Sequence, residues 1–167
     1  YQAGALLAEI RTQVVELVAQ QRMTMRDLFA KLAEHGIRIL DISELEPQHR
    51  DTIREYFHNE IFPVLTPLAV DHPFPFISNL SLNLAVWLKR SNGHGNQDTE
   101  FVRVKVPEAL SRLVDVGKVL RRYANDSSMK DTFLWMEDVI SDNLDSLFPG
   151  MRVLEHYPFR VTRDADV

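Results

Sequence analysis

The sequence predicts an α+β fold: a helical hairpin at the N-terminus, followed by a mixed or antiparallel sheet domain with packed helices. Three observations carry this. Apolar residues recur at three- and four-residue spacing through the first 60 positions. They alternate with period two across Leu82–Leu88 and again across Val102–Val106. Helical spacing then returns after residue 133.

Residues 3–21 place Leu7, Ile10, Val14 and Leu17 on one helical face, widened by Leu6 and Val18, with Glu9, Arg11, Gln13 and Glu16 opposite. A second helix is expected from Thr24 to His35, with Thr24 as its N-cap and Asp27 in its first turn. Met25, Leu28, Phe29 and Leu32 form its apolar side, and Gly36 stops it. "GIRILDI" is a short strand or an extended linker. "SELEPQHRDTIREYFHNEIF" is a third helix, with Pro47 in the first turn, where a missing N–H costs nothing. Its apolar face is Ile53, Tyr56, Phe57 and Ile61, and Pro63 ends it.

Leu82 to Leu88 is a strand with Leu82, Leu84, Val86 and Leu88 on one face and Asn83, Ala85 and Trp87 on the other. "FVRVKVP" is its partner, with Val102, Val104 and Val106 inward and Phe101, Arg103 and Lys105 outward. The polar stretch "KRSNGHGNQDTE" joins them as the tip of an antiparallel hairpin. Leu113–Val116 is a further short strand. Phe133–Leu144 is a helix burying Met136, Val139, Ile140 and Leu144, and Arg152–Val161 returns to the sheet.

Composition narrows the function classes. The chain lacks cysteine, which rules out disulfides and thiolate metal sites and fits an intracellular protein. No apolar run approaches the length of a membrane span, and no signal peptide pattern opens the chain. A net charge of −5 weighs against non-specific nucleic-acid binding. Both ends read as cuts: residue 1 is Tyr, helix begins almost at once, and "FRVTRDADV" reads as a strand leaving for elsewhere.

No self-contained catalytic motif emerges. The six histidines, His35, His49, His58, His72, His94 and His156, include no HExxH and no i, i+4 pair, so no metal site is expected. His35 sits where a helix C-terminus favours a cation, and His94 lies between two glycines in a polar loop. There is no GxSxG, no GxxxxGK[ST] and no GxGxxG. Glu137 and Asp138 are expected to be solvent charges on different helix faces. One basic constellation remains. Arg103 and Lys105 share a strand face, Arg160 lies on a later strand, and Arg163 follows it in "RVTRDAD". If those strands are neighbours, the four cations can hold a polyanion, at about 1.5–3 kcal/mol per charge-assisted hydrogen bond. The default alternative is that they pair with Glu100, Asp164 or Asp166 on a solvated face.

Four of the eight prolines fall between Pro63 and Pro75, inside "IFPVLTPLAVDHPFPFISNLSLNLAV". This segment resembles the signature of polyphosphate kinase, the large bacterial ATP-dependent type. "FVRVKVPEALSRLVDV", "MEDVISDNLDSLFPGMRV" and "FRVTRDADV" resemble the segments that follow it in that family, in the same order. "LLAEIRTQVVELVAQQ" resembles the end of the family's N-terminal helical domain. The resemblance implies that residues 1–36 are the last helices of that domain and 37–167 the head, or middle, domain, truncated at its C-terminal end. It implies a parent enzyme that moves the terminal phosphate of ATP to polyphosphate, reversibly, through a phosphohistidine and with Mg2+. It implies a homo-oligomeric, cytoplasmic parent, with membrane association left open, whose head domain supports subunit association and lines the polyphosphate tunnel. None of the six histidines matches the phosphate-carrying motif, so no catalytic residue is carried over, and the fragment is expected to be inactive with no bound cofactor. Two departures stand out: Asp71 and His72 are adjacent where the family often separates them, and "LSRL" replaces an expected "LPRF" at Leu110–Leu113. The rival expectation is a free-standing α+β interaction module without enzymatic activity.

Overall fold

In the computed structural model, residues 3–69, 77–90 and 99–162 are described. The fold is α+β. The chain divides after Ile39 into two compact units.

The first unit is dominated by one helix, α1 (Ala3–Glu34), in place of the expected hairpin. No Gly or Pro interrupts Gln20–Asp27. Thr24, expected as an N-cap, instead donates its hydroxyl to the Gln20 carbonyl at 3.1 Å, the back-bond of a threonine inside a helix. The two apolar stripes therefore belong to one rod of about 48 Å at 1.5 Å per residue. Gly36 ends it as expected. With φ at +80° it takes the left-handed conformation, and Ile37 N–H closes on the Leu32 carbonyl at 3.0 Å. His35 donates from Nδ1 to the Lys31 carbonyl at 2.9 Å, which gives it the structural role expected of it. A short strand, β1 (Arg38–Leu40), follows.

The second unit holds the hydrophobic core. A capping box built by Asp41 and Glu44 opens a 3₁₀ turn, Ile42–Glu44. Helix α2 (Pro47–Tyr56) begins on Pro47, as the sequence suggests. It continues as a π-helical turn, Phe57–Ile61, and then a 3₁₀ turn, Phe62–Val64, that carries Pro63. Ile53, Phe57 and Ile61 are fully buried along this run. Each contributes about 1.5–3 kcal/mol by leaving water.

Strands β2 (Pro67–Ala69), β3 (Leu82–Arg90), β4 (Thr99–Lys105) and β7 (Met151–Arg160) form an antiparallel sheet in the order β2-β4-β3-β7. Its two in-strand prolines, Pro67 and Pro158, both sit on edge strands, where a missing N–H leaves no central ladder bond unmade. Leu84, Val86 and Leu88 of β3 and Val102 and Val104 of β4 face the core. Strands β5 (Leu113–Asp115) and β6 (Thr132–Trp135) pair antiparallel beside it.

Two helical readings change. The helix expected from Phe133 begins only at Met136: α4 spans Met136–Asp142, and α5 follows at Leu144–Leu147. Phe133 to Trp135 pair with β5 instead. The four core residues expected there, Met136, Val139, Ile140 and Leu144, are all buried. Helix α3 (Val116–Ala124) was not anticipated, although its signals are present. Asp115 caps it by accepting from Lys118 N–H at 2.9 Å, and Asn125 ends it in the left-handed region at φ +52°. Helices α2 and α4 are tied by a bidentate pair, Arg50 to Asp142.

Candidate cationic groove at the sheet end

Strand register decides where the four expected cations go. Lys105 stands opposite Asn83 and Arg103 opposite Ala85, so both lie on the outer face of the sheet. Arg160 stands opposite Leu82, in register with Leu84 and Val86, and so belongs to the other face. Strands β4 and β7 flank β3 on opposite sides, so the two cation sources are not neighbours. The single basic face does not form. A residue can be placed on a face from period two, but strand order and pairing offset are properties of the assembled sheet. Arg163 lies outside the described residues, as do His72, His94, Pro73 and Pro75.

The individual environments differ as well. Arg103 is only 8% exposed, which makes it a partnered interior cation rather than a surface one. Lys105 reaches Glu108 at 2.9 Å. Arg160 is exposed and borders a groove of about 380 Å³ at the end of the sheet.

That groove contains a second arginine that sequence reasoning did not single out. Arg112 lies on the loop before β5 and is half exposed. Its guanidinium bonds the buried Glu137 carboxylate at 2.7 Å and stacks over the Trp135 ring at 4.9 Å. Its own carbonyl accepts from Met136 N–H at 2.9 Å, which ties the loop to the start of α4. Glu137, expected as a solvent charge, is thus the buried anchor of a groove arginine, and Asp138 beside it is half buried. Glu108, the partner of Lys105, also lines the groove. Arg112 and Arg160 therefore converge from two different segments, and Lys105 meets the groove only through Glu108. The signal for Arg112 in the sequence is "LSRL" itself, which departs from "LPRF" in its missing proline but keeps the arginine.

The opposite rim is a turn under conformational strain. Leu80 adopts φ +58°, a left-handed backbone that costs a leucine roughly 1–2 kcal/mol. It is exposed, so burial does not repay this. Hydrogen bonds hold it there. Leu80 N–H donates to the Val161 carbonyl at 2.9 Å, and the Ser81 hydroxyl donates to the Ser78 carbonyl at 2.8 Å. The buried Asn83 amide then donates to the Ser81 carbonyl at 2.9 Å and to its hydroxyl at 3.1 Å. The turn is over-determined from below and presents Leu80 at the groove's edge.

Chemically, the groove offers the guanidinium donors of Arg112 and Arg160 beside the Glu108 carboxylate, which is paired with Lys105, and the Ser81 hydroxyl, which is bound to the Ser78 carbonyl. Such a set binds and orients anions. Among the described residues no cluster of three or more His, Asp or Glu is arranged for a metal ion. His49 is buried against Asp126 at 3.0 Å, and His58 lies 3.5 Å from the Ser146 hydroxyl. No described helix is long and apolar enough to cross a membrane.

Comparison with known proteins gives a consistent answer. Residues 48–167 match the polyphosphate kinase middle domain. A polyphosphate kinase of Aphanizomenon baltica is 46% identical over 167 residues, covering 96% of this chain and 42% of that protein. One from Prochlorococcus marinus (strain MIT 9313) is 46% identical over 165 residues, covering 96% of this chain and 22% of its own. The crystal structure of polyphosphate kinase from Porphyromonas gingivalis superposes with a TM-score of 0.75 at 31% identity, covering all of this chain and 26% of that one. The chain thus spans between about a fifth and two fifths of the length of these relatives.

Proposed function

Because the chain belongs to the polyphosphate kinase family, matching its middle domain over residues 48–167, we propose that it serves as the non-catalytic head region of a larger enzyme. That enzyme transfers the terminal phosphate of ATP to polyphosphate, reversibly, through a phosphohistidine and with Mg2+. In this reading residues 1–36 are the end of a preceding helical domain and 37–167 are the head. The head supports subunit association and forms part of the wall along which polyphosphate moves.

The observation that carries the polyphosphate contact is the groove lined by Arg112 and Arg160, with Lys105 held at its edge through Glu108. Each arginine has five N–H donors, and Arg112 commits one to Glu137 in the described bonds. A chain of phosphates presents acceptor oxygens at every repeat, which suits donors spread along a groove better than a single closed pocket. Of the four cations expected from sequence, Arg160 and Lys105 stay in this proposal. Arg103 is proposed as a support for the β2–β4–β3 face, and Arg163 follows Arg160 three residues on.

Two measurements test the reading. The purified 167-residue chain is expected to make no polyphosphate from ATP and Mg2+; detectable synthesis would overturn the assignment as non-catalytic. Polyphosphate is expected to bind the chain at low salt, with affinity falling at least tenfold in an Arg112→Gln, Arg160→Gln double variant. Unchanged affinity in a folded double variant rules out the groove.

A further inference from the structure

Helix α1 carries an apolar stripe with a regular repeat. Leu6, Leu17 and Leu28 lie 11 residues apart, as do Leu7, Val18 and Phe29. Val14 and Met25 form a third row, and Ile10 and Leu32 a fourth. A repeat of 11 at about 3.67 residues per turn stays close to the helix's own period of about 3.6, so the rows keep to one side of the rod along its length. No residue of α1 is buried, and the stripe from Leu6 to Leu28 is 38% to 65% exposed. A helix of this kind draws most of its stability from whatever its apolar side packs against. From Leu6 to Leu32 that side offers about 39 Å of contact at 1.5 Å per residue.

Two features of the stripe say what covers it. Gln21 interrupts the fourth row, midway between Ile10 and Leu32. Its amide both donates and accepts, so within an apolar seam its best partner is another amide. A second copy of the chain supplies one, with Gln21 set against Gln21. A single polar residue in such a seam also fixes register. Charge then chooses the orientation. Arg11, Arg22 and Arg26 lie to one side of the stripe, and Glu9, Glu16 and Asp27, together with Lys31, lie to the other. In a parallel pair the basic side of each helix meets the acidic side of its partner along both seams. In an antiparallel pair like sides meet, and arginines face arginines.

We propose that α1 is a self-association surface, through which two copies of this chain pair as parallel, in-register helices. The inference concerns the first unit alone and does not rest on the Arg112–Arg160 groove. Helices preceding α1 in the larger enzyme proposed above are the competing occupant, and they predict a monomeric chain.

Sedimentation equilibrium of the 167-residue chain at about 10–100 µM tests the association. The expected mass is twice that of the chain, and a Val14→Glu, Met25→Glu double variant is expected to associate at least tenfold more weakly. Tryptophan fluorescence of that variant should match the parent chain, because Trp87 and Trp135 both lie in the second unit; this separates lost association from lost fold. Ala3→Cys tests the orientation, since Ala3 heads the row of Val14 and Met25 and the chain has no other cysteine. Parallel pairing brings the two thiols together, and oxidation with diamide should make most of the dimer covalent. Antiparallel pairing holds them about 45 Å apart. A monomer across the whole concentration range would overturn the proposal, and sedimentation of that monomer with phosphatidylcholine–phosphatidylserine vesicles would assign the stripe to lipid instead. A dimer that the stripe variant leaves unchanged, a dimer that Ala3→Cys fails to cross-link, or a mass above twice the chain's would overturn it equally.

Discussion

Gly117 to alanine is a single-methyl test of how the second unit is packed. Gly117 is buried in the first turn of α3, and its backbone conformation is one any residue adopts. On helix propensity alone, alanine would stabilise the fold by about 0.5–1 kcal/mol, toward the lower end in a first turn. The structure reverses that sign. A Cβ at Gly117 would lie 2.7 Å from the Met129 carbonyl oxygen and 3.1 Å from Lys130 Cα. These are backbone atoms, so no side-chain rotation relieves the contact. Restoring an ordinary 3.4 Å separation requires the 129–130 segment to move by about 0.7 Å. That segment is held on its far side by Asp131 at φ +53° and by the fully buried Thr132 at the start of β6. Overpacking of this kind costs about 1–3 kcal/mol. The net expectation is a loss of about 1–2 kcal/mol. Urea unfolding followed by tryptophan fluorescence reads it directly, because both tryptophans, Trp87 and Trp135, lie in the second unit. The midpoint should fall with the slope unchanged. A midpoint equal to or above that of the parent chain would refute the steric reasoning. Gly150 supplies the contrast. It has nothing within 4 Å of its would-be Cβ but sits at φ +77°. Asparagine at Gly150 should recover much of the stability that alanine loses, since asparagine tolerates the left-handed region; no side chain should recover the loss at Gly117.

Other perturbations have equally definite signs. The Asp138 carboxyl is raised above its ordinary 3.8 by burial foremost, then by Glu137 and Asp41. Its protonated form therefore favours the fold, a contribution present below the unfolded pKa and lost as pH rises through the folded one. Asp138→Asn should raise the unfolding midpoint at pH 7, and the gain should vanish below about pH 4. Asp126 is lowered, chiefly by the Ser128 N–H and then its hydroxyl. Its contribution is present above the unfolded value and lost as pH falls through the folded one, so Asp126→Asn should show the opposite pH slope; parallel slopes in the two variants contradict these assignments. Leu80→Gly should raise stability by up to about 1 kcal/mol, with strain relief partly offset by the freer unfolded chain. A loss of stability there means that contacts of the Leu80 side chain outweigh its backbone strain.

Local pattern carried most of the element assignments. Period two gave β3 and β4 with their core faces correct at Leu84, Val86, Val102 and Val104. Helical spacing gave α2 and the buried residues of α4, and Pro47 and Gly36 marked boundaries that the structure keeps. The errors came where a local signal had two uses. Thr24 can cap a helix or back-bond within one, and with no Gly or Pro beside it the helix ran on. Phe133–Trp135 suits a helix start by spacing, yet the ladder with Leu113–Asp115 claims it as a strand. The α3 signals are legible in the sequence, with Asp115 and Asn125 bracketing Val116, Val119 and Leu120.

The sequence alone determined the family, through ordered segments that need no coordinates, and it determined which residue types could meet a polyanion. Only the tertiary structure decided which of those residues meet. Arg103 and Arg160 were separated because pairing offset and strand order are collective properties of the sheet, and an antiparallel register sends Leu82's partner to the opposite face from Ala85's. Arg112 was joined to Arg160 because a loop 48 residues earlier in the chain is pinned by Glu137 and Trp135 at the same end of the sheet. Long-range packing brought these side chains together, and no spacing along the chain encodes it.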